Sequence, residues 1–273
     1  MSKTVLITGS TDGIGQVVAE KLVQQGHRVL IHGRNAEKLK AVEAKLNAVG
    51  SGSVESYSAD LSDFSDVEAL ANAVAQDHPH LDVLINNAGI YRTNQPDTKY
   101  GLDVRFVVNT LAPYLLTRRL LRIMDNAGRI INLSSAAQAP VKLAAMTGAK
   151  SIGDESSAYA QSKLAITMWS RHMALALGEN APVIVAVNPG SLLASKMVKE
   201  GYGVEGKDIN IGADILVTAS LADEFANASG LYFDNDAGKF SAPHPDGLDA
   251  AKCSELVKTI DELLGGVGFT VPA

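Results

Sequence analysis

Val5-Leu6-Ile7-Thr8-Gly9-Ser10-Thr11-Asp12-Gly13-Ile14-Gly15 begins with a short apolar run that breaks at glycines. The next apolar residues, Ile14, Val17, Val18 and Leu22, recur at helical spacing until Gly26. The stretch therefore reads as strand, tight loop and helix. Glycines in such a loop let the backbone approach a ligand, and the first N–H groups of the helix point into it, which suits a phosphate. The spacing G-x-x-x-G-x-G differs from the common G-x-G-x-x-G, and no Gly-Lys-Ser/Thr follows as in a P-loop. Glycines that merely form a tight turn are the alternative.

The same alternation continues along the chain. Arg28 to Ile31 reads as a second strand, and Asn35 caps a helix carrying Leu39, Val42 and Leu46 up to Gly50. Val54 to Ala59 reads as a third strand. Ser65 with Glu68 forms a capping box for the following helix, which Pro79 closes. Further strands are expected at Leu81 to Asn86, Arg129 to Leu133, Val183 to Asn188 and Gly230 to Phe233. Helical patterns lie at about 101–124, 157–178, 213–221 and 248–264. Continuous apolar strands alternating with helices imply a parallel sheet covered on both faces. The expected architecture is α/β: a single doubly wound domain over residues 1–273, with a seven-stranded parallel sheet and ligand at the carboxyl ends of its strands.

The chain has 273 residues, 46% of them hydrophobic, enough for a sizeable core, and no spacer or repeat divides it. A formal charge of −6 argues against a nucleic-acid or anionic-membrane surface. Arg118, Arg119 and Arg122 look like a solvated helix face. Cys253 is the only cysteine, which excludes an internal disulfide and fits a reducing compartment. No apolar run has the length of a signal peptide core or a membrane anchor, so a soluble cytoplasmic protein is expected. His78-Pro79-His80 reads as a solvated turn, and no metal site is expected.

Tyr159 and Lys163 stand four residues apart in Ser156-Ser157-Ala158-Tyr159-Ala160-Gln161-Ser162-Lys163. If Ser156 and Ser157 open a helix, the pair lies one turn apart on one face. A free tyrosine has a pKa of about 10, and a neighbouring cation stabilises its phenolate. Lowering that pKa by roughly two to three units requires about 3 to 4 kcal/mol, the order of one close, partly buried charge. Packing of the ring on the lysine stem is the alternative.

Together these motifs resemble the classical short-chain dehydrogenase/reductase family. Thr8 to Gly15 is similar to its T-G-x-x-x-G-I-G fingerprint and Asn86-Asn87-Ala88-Gly89 to its N-N-A-G motif. Asp60-Leu61 matches the pair beside the adenine ring and Pro189-Gly190 the P-G motif near the nicotinamide. The resemblance runs from Thr4 to about Phe233. It implies a dinucleotide on Gly9, Ser10, Thr11, Asp12, Gly13, Ile14 and Gly15, with Asp60, Leu61, Asn87, Ala88, Gly89, Pro189 and Gly190 along it. It further implies an active-site serine at the end of the fifth strand, where the apolar run favours Ser135 over Ser134, and Tyr159 as the proton donor. Lys163 would bind the ribose. Asn109 matches the asparagine that orders a water leading to the lysine, with a structural role as the alternative.

After the second strand the sequence reads His32-Gly33-Arg34-Asn35. An acidic residue there favours NAD, whereas an arginine accommodates a 2′-phosphate. NADP(H) is therefore expected over NAD(H), although Asp12 brings no second positive charge to the glycine loop. The implied activity is hydride exchange between nicotinamide and a carbonyl or alcohol carbon of a lipophilic small molecule. A non-catalytic NADP-binding sensor and an epimerase or dehydratase are the alternatives.

The sequence departs from the family pattern in two places. Twenty-four positions separate Ser135 from Tyr159, roughly twice the usual gap for a connection of this kind. An insertion at about 136–156 results, as in the retinol-dehydrogenase-like and protochlorophyllide-reductase-like branch. The threonine that often follows Pro-Gly is also replaced, by Ser191-Leu192-Leu193-Ala194-Ser195. A lid is expected over about 191–210, its apolar surface formed by Leu192, Leu193, Met197, Val198 and Tyr202. Beyond it lies a carboxyl-terminal extension, about 234–273, with an irregular loop at Asp234 to Gly247. Monomer and homo-oligomer are both compatible with the sequence.

Overall fold

The computed structural model describes residues 2–271, except for the side chain of Tyr202. Among these residues eight strands form one sheet in the order β3-β2-β1-β4-β5-β6-β7-β8. They are β1 (Thr4–Ile7), β2 (Arg28–Gly33), β3 (Ser53–Ser58), β4 (Val83–Asn86), β5 (Arg129–Leu133), β6 (Val183–Asn188), β7 (Tyr232–Asp234) and β8 (Lys239–Ser241). The first seven run parallel, as expected, in a doubly wound Rossmann arrangement. β8 was not expected. It pairs antiparallel with β7 through Phe233 and Phe240 and turns part of the anticipated irregular loop into a hairpin.

The central strands β1, β4 and β6 read as nearly unbroken apolar runs because each feeds two cores. Leu6, Leu30, Leu84, Ile130 and Ile184 point to one side, where α3 (Phe64–Asp77), α5 (Ala112–Leu120), α7 (Glu155–Leu177) and α10 (Ala250–Gly266) pack. Val5, Ile7, Val29, Ile31, Ile85 and Val185 point to the other, against α1 (Gly13–Gln24), α2 (Ala36–Asn47) and α9 (Asn210–Leu221). Three short helices complete the chain: α4 (Val104–Phe106), α6 (Leu143–Met146) and α8 (Lys196–Tyr202). The pattern at 101–124 is not one regular helix. It passes from α4 through a π-helical turn, Val107–Leu111, into α5.

Aspartates cap the helices at several places where the sequence suggested hydroxyls. Asp63, rather than Ser65, caps α3, accepting from the Ser65 N–H at 3.0 Å. Glu68 is instead paired with Arg119. Asp154, rather than Ser156 or Ser157, caps α7, accepting from the Ser157 N–H at 2.8 Å. A carboxylate satisfies the open amides of a first turn and also favours the positive end of the helix dipole. Asn35 caps α2 as expected. His78 is a second correction: it is buried, with Nε2 3.1 Å from the Tyr57 hydroxyl and 3.2 Å from a Glu55 carboxylate oxygen. Arg119 and Arg122 likewise reach Glu68 and Asn72 on α3 rather than facing solvent alone.

Strands β2 and β3 lie on one side of β1, whereas β4 lies on the other. The chain therefore reverses direction between β1 and β4, and a crevice opens at their carboxyl ends. The loop after β1 and the turn after β4 meet there, and Gly15 sits at the junction. A Cβ on Gly15 would meet the Asn87 amide and lie 2.6 Å from the Gly9 carbonyl oxygen. Overpacking of this kind costs about 1–3 kcal/mol. Gly15→Ala is expected to lower the unfolding free energy by that amount in a urea titration.

Candidate functional site

At the crevice the turn after β4 locks the glycine loop in place. Thr8 Oγ1 accepts from the N–H groups of Asn87 and Ala88, both at 3.1 Å, while Asn87 Nδ2 donates to the carbonyls of Thr8 and Gly9. Gly9 has φ +65° and packs so tightly that an added Cβ would lie 2.9 Å from Ala88 Cα. Gly13, at φ +54°, is less crowded: an added Cβ would make only an ordinary contact with Ser195 Cβ, at 3.9 Å. Asp12 caps α1 through the Gly13 N–H. The Ser10 hydroxyl is buried between Ile7 and His32 and does not face the crevice.

His32, inside β2, is a residue whose part in the site the sequence reading missed. Its Nδ1 accepts from the Gly9 N–H at 3.1 Å, and its Nε2 lies 3.1 Å from the Ala59 carbonyl. A carbonyl only accepts, so the proton sits on Nε2. Burial lowers the pKa of His32 to about 4, and the ring stays neutral near pH 7. It thus ties the glycine loop to the ends of β2 and β3. Beside it a Cβ on Gly33 would lie 2.6 Å from Thr11 Cγ2. The visible signal was a histidine in an otherwise apolar strand.

Arg34 is exposed just beyond β2. Lys38, on the first turn of α2, donates to Asp12 at 2.8 Å, and this bond lowers the Asp12 pKa. Lys38 thus brings an ammonium to the edge of the glycine loop, paired with the Asp12 carboxylate. Asp60 receives the Ser62 N–H and hydroxyl at the end of β3, and Leu61 is buried.

On the other side of the crevice α7 carries Tyr159 and Lys163. The ammonium lies 5.7 Å from the Tyr159 ring centre, and its Nζ donates to the Leu133 carbonyl at 2.7 Å. Lys163 is buried, and desolvation lowers its pKa from 10.5 to about 8. The two serines after β5 differ in their surroundings. Ser134 is buried, donating to the Lys163 carbonyl at 3.0 Å and lying 2.7 Å from the Thr167 hydroxyl. Ser135 is half-buried, and its Oγ accepts the Ala137 N–H at 3.1 Å.

Asn109 sits in the π-helical turn and clamps Ile90 at both backbone groups, accepting from its N–H at 2.8 Å and donating to its carbonyl at 2.9 Å. It also donates to Ser162 Oγ. A Cβ on Gly89 would lie 3.5 Å from Asn109 Oδ1 and 3.6 Å from Lys163 Nζ, so the three converge on one spot.

Three segments surround this centre. Residues 136–156 are held by Gln161, which accepts the Lys142 N–H, and by Met146, which is buried in the core. Gln138 accepts the His244 N–H and donates to the Ser135 carbonyl, linking the serine turn to the segment after β8. In the 191–210 segment Ser191 donates to Asp236 at 2.5 Å and Ser195 caps α8. Leu193 is buried against Gly212, whereas Leu192 is exposed with φ +56°. The anticipated apolar surface is therefore reduced, and the Tyr202 side chain lies outside the described residues. Pro189 and Gly190 follow β6, held by Asn235.

The donor set fits a phosphorylated dinucleotide: positive-φ glycines at Gly9 and Gly13, a helix start, and the exposed Arg34 with Lys38, paired to Asp12, beside it. Among the described residues no three His, Cys, Asp or Glu side chains are grouped to share a metal, and no helix is long and apolar enough to cross a membrane. Doubly wound sheet, loop and Tyr–Lys pair together define a Rossmann-type nucleotide-binding protein. A family model described as short chain dehydrogenase matches residues 3–202, and the chain belongs to that family. It is 32% identical over 245 residues to mouse (Mus musculus) retinol dehydrogenase 12, covering 85% of this chain and 77% of that one. An uncharacterized protein from Mycobacterium paratuberculosis superposes with a TM-score of 0.80 at 25% identity, covering 99% and 95% of the two chains. The angucycline C-6 ketoreductase LanV, solved with bound NADP, superposes with a TM-score of 0.67 at 27% identity, covering 85% and 93%.

Lys163 also gives the fold a pH dependence. Its pKa falls from 10.5 to about 8 on folding, so the unfolded chain holds more protons between those values. Stability from this group therefore rises with pH across that window and is lowest below pH 8. The span corresponds to about 3 kcal/mol. Relative to Lys163→Met, the wild type is expected to gain up to that amount between pH 8 and 10.5 in denaturant titrations.

Proposed function

We propose that the protein is an NADP-dependent oxidoreductase that exchanges a hydride between nicotinamide and a carbonyl or alcohol carbon of a lipophilic small molecule. The observation that carries this reading is the buried Lys163 ammonium beside the half-buried Tyr159 ring, next to Gly89 and the half-buried Ser135. The bound dinucleotide supplies or accepts the hydride. Gly9, Thr11, Asp12, Gly13, Ile14 and Gly15 would hold its pyrophosphate, with the buried Ser10 supporting the loop from behind, Asp60, Leu61, Asn87, Ala88 and Gly89 along its length and Pro189 and Gly190 near the nicotinamide.

Ser135 Oγ already accepts an N–H, which leaves its own proton for the substrate oxygen. Tyr159 gives that oxygen a proton during reduction and takes one during oxidation. The Lys163 ammonium, 5.7 Å from the Tyr159 ring centre, favours the phenolate form of the phenol beside it. Asn109 holds the Gly89–Ile90 backbone beside this pair and orders the water that leads to Lys163. Relatives named for retinol and for an angucycline C-6 ketone support a lipophilic substrate and membership of the retinol-dehydrogenase-like branch. A soluble, cytoplasmic enzyme of one domain, with residues 191–210 as its lid, completes the reading.

Tyr159→Phe is expected to lower kcat for ketone reduction by at least about 100-fold while the NADPH dissociation constant stays within about twofold. Turnover near wild type across a carbonyl panel would refute the assignment. For the cofactor, the double variant Arg34→Ala/Lys38→Ala is expected to raise KM for NADPH at least about tenfold and leave that for NADH nearly unchanged, since only NADPH carries the 2′-phosphate. Equal changes in both would overturn the preference.

A further inference from the structure

Tyr91 follows the Asn86–Gly89 motif by two residues and has no part in the reaction described above. It is 6% exposed, and its ring meets the Tyr159 ring edge-on, with centroids 5.0 Å apart and planes at 70°. Its hydroxyl lies 2.8 Å from the Ser156 Oγ in the first turn of α7, and its carbonyl accepts from Arg105. The residues on either side are fixed as well. Asn109 holds both backbone groups of Ile90. Arg92 donates to the Glu200 carbonyl at 3.1 Å and reaches Glu155 at 3.6 Å.

Helix α8 completes the arrangement. It rests on Tyr91 through Gly201, where a Cβ would lie 2.6 and 2.7 Å from Cδ1 and Cε1 of the ring. Only a glycine lets the helix backbone come this close. The strip Ile90 to Arg92 therefore touches α8 on one side and the first turn of α7, with the Tyr159 ring, on the other.

Given the oxidoreductase reading above, on which this rests, we propose that Tyr91 is a positioning residue that couples the seating of α8 to the orientation of the Tyr159 ring. With α8 seated, Gly201 holds the Tyr91 ring against Tyr159. A side chain at Gly201 displaces that ring or lifts the helix, because Ser156 and Tyr159 restrain the ring elsewhere. Either change alters the angle at which the phenol meets the substrate oxygen, to which proton transfer is sensitive.

A double-mutant cycle tests this. Gly201→Ala, Tyr91→Ala and their combination are compared with wild type for kcat, ketone KM, the NADPH dissociation constant and thermal unfolding. Gly201→Ala and Tyr91→Ala are each expected to lower kcat about tenfold, with NADPH affinity of Tyr91→Ala within about twofold of wild type. In the Tyr91→Ala background the glycine change is expected to alter kcat less than about twofold, because the ring it would strike is gone. Equal loss from Gly201→Ala in both backgrounds would overturn the proposal, as would unchanged kcat in either single variant. Should Gly201→Ala fail to fold, Tyr91→Ala decides on its own kcat. Wild-type turnover in the same assay tests the functional reading separately.

Discussion

The close approach of the loop after β1 to the turn after β4 is the constraint on which the rest of the structure depends. Gly9 and Gly15 leave no room for a side chain, and four hydrogen bonds join Thr8 and Gly9 to Asn87 and Ala88 across the gap. These bonds satisfy backbone groups at the mouth of the crevice that would otherwise be left without partners. They also fix where α1 starts, and hence where its open N–H groups point. The neutral His32 extends the same lock to β2 and β3. One junction thereby joins the carboxyl ends of β1 to β4.

The second centre depends on an unfavourable act, the burial of a cation. Lys163 lies in the core of the molecule, its Nζ on the Leu133 carbonyl, and its depressed pKa measures the cost. The same low dielectric strengthens the effect of that charge on the neighbouring phenol. The surrounding polar groups have no such double role. Ser134, Thr167 and Ser162 bond to α7 or to one another and hold the helix against β5.

Much of this was legible in the sequence, for identifiable reasons. Strands buried on both faces are written as continuous apolar runs, which marks the centre of the sheet at β1, β4 and β6. Ser135 was preferred to Ser134 by aligning the apolar run of β5 with the family pattern, and Ser134 is buried while Ser135 is half-buried. Motifs local in sequence, such as Thr8 to Gly15 or Tyr159 with Lys163, carry their geometry with them. The helix caps were misread because a hydroxyl and a carboxylate two or three residues away compete for the same amides, as Asp63 and Ser65 do. β8 was missed because a three-residue strand at a hairpin has no periodicity to detect.

By itself, then, the sequence determined the class of fold, the glycine loop and the Tyr159–Lys163 pair, since each rests on spacing along one strand, loop or helix. Only the tertiary structure decided which distant side chains complete them. Lys38 reaches Asp12 across 26 positions, His32 reaches Gly9 across 23, and Gly201 meets Tyr91 although more than a hundred residues separate them. Such contacts form because parallel crossovers bring strand ends together at one edge of the sheet. No local pattern records which residues will be neighbours there.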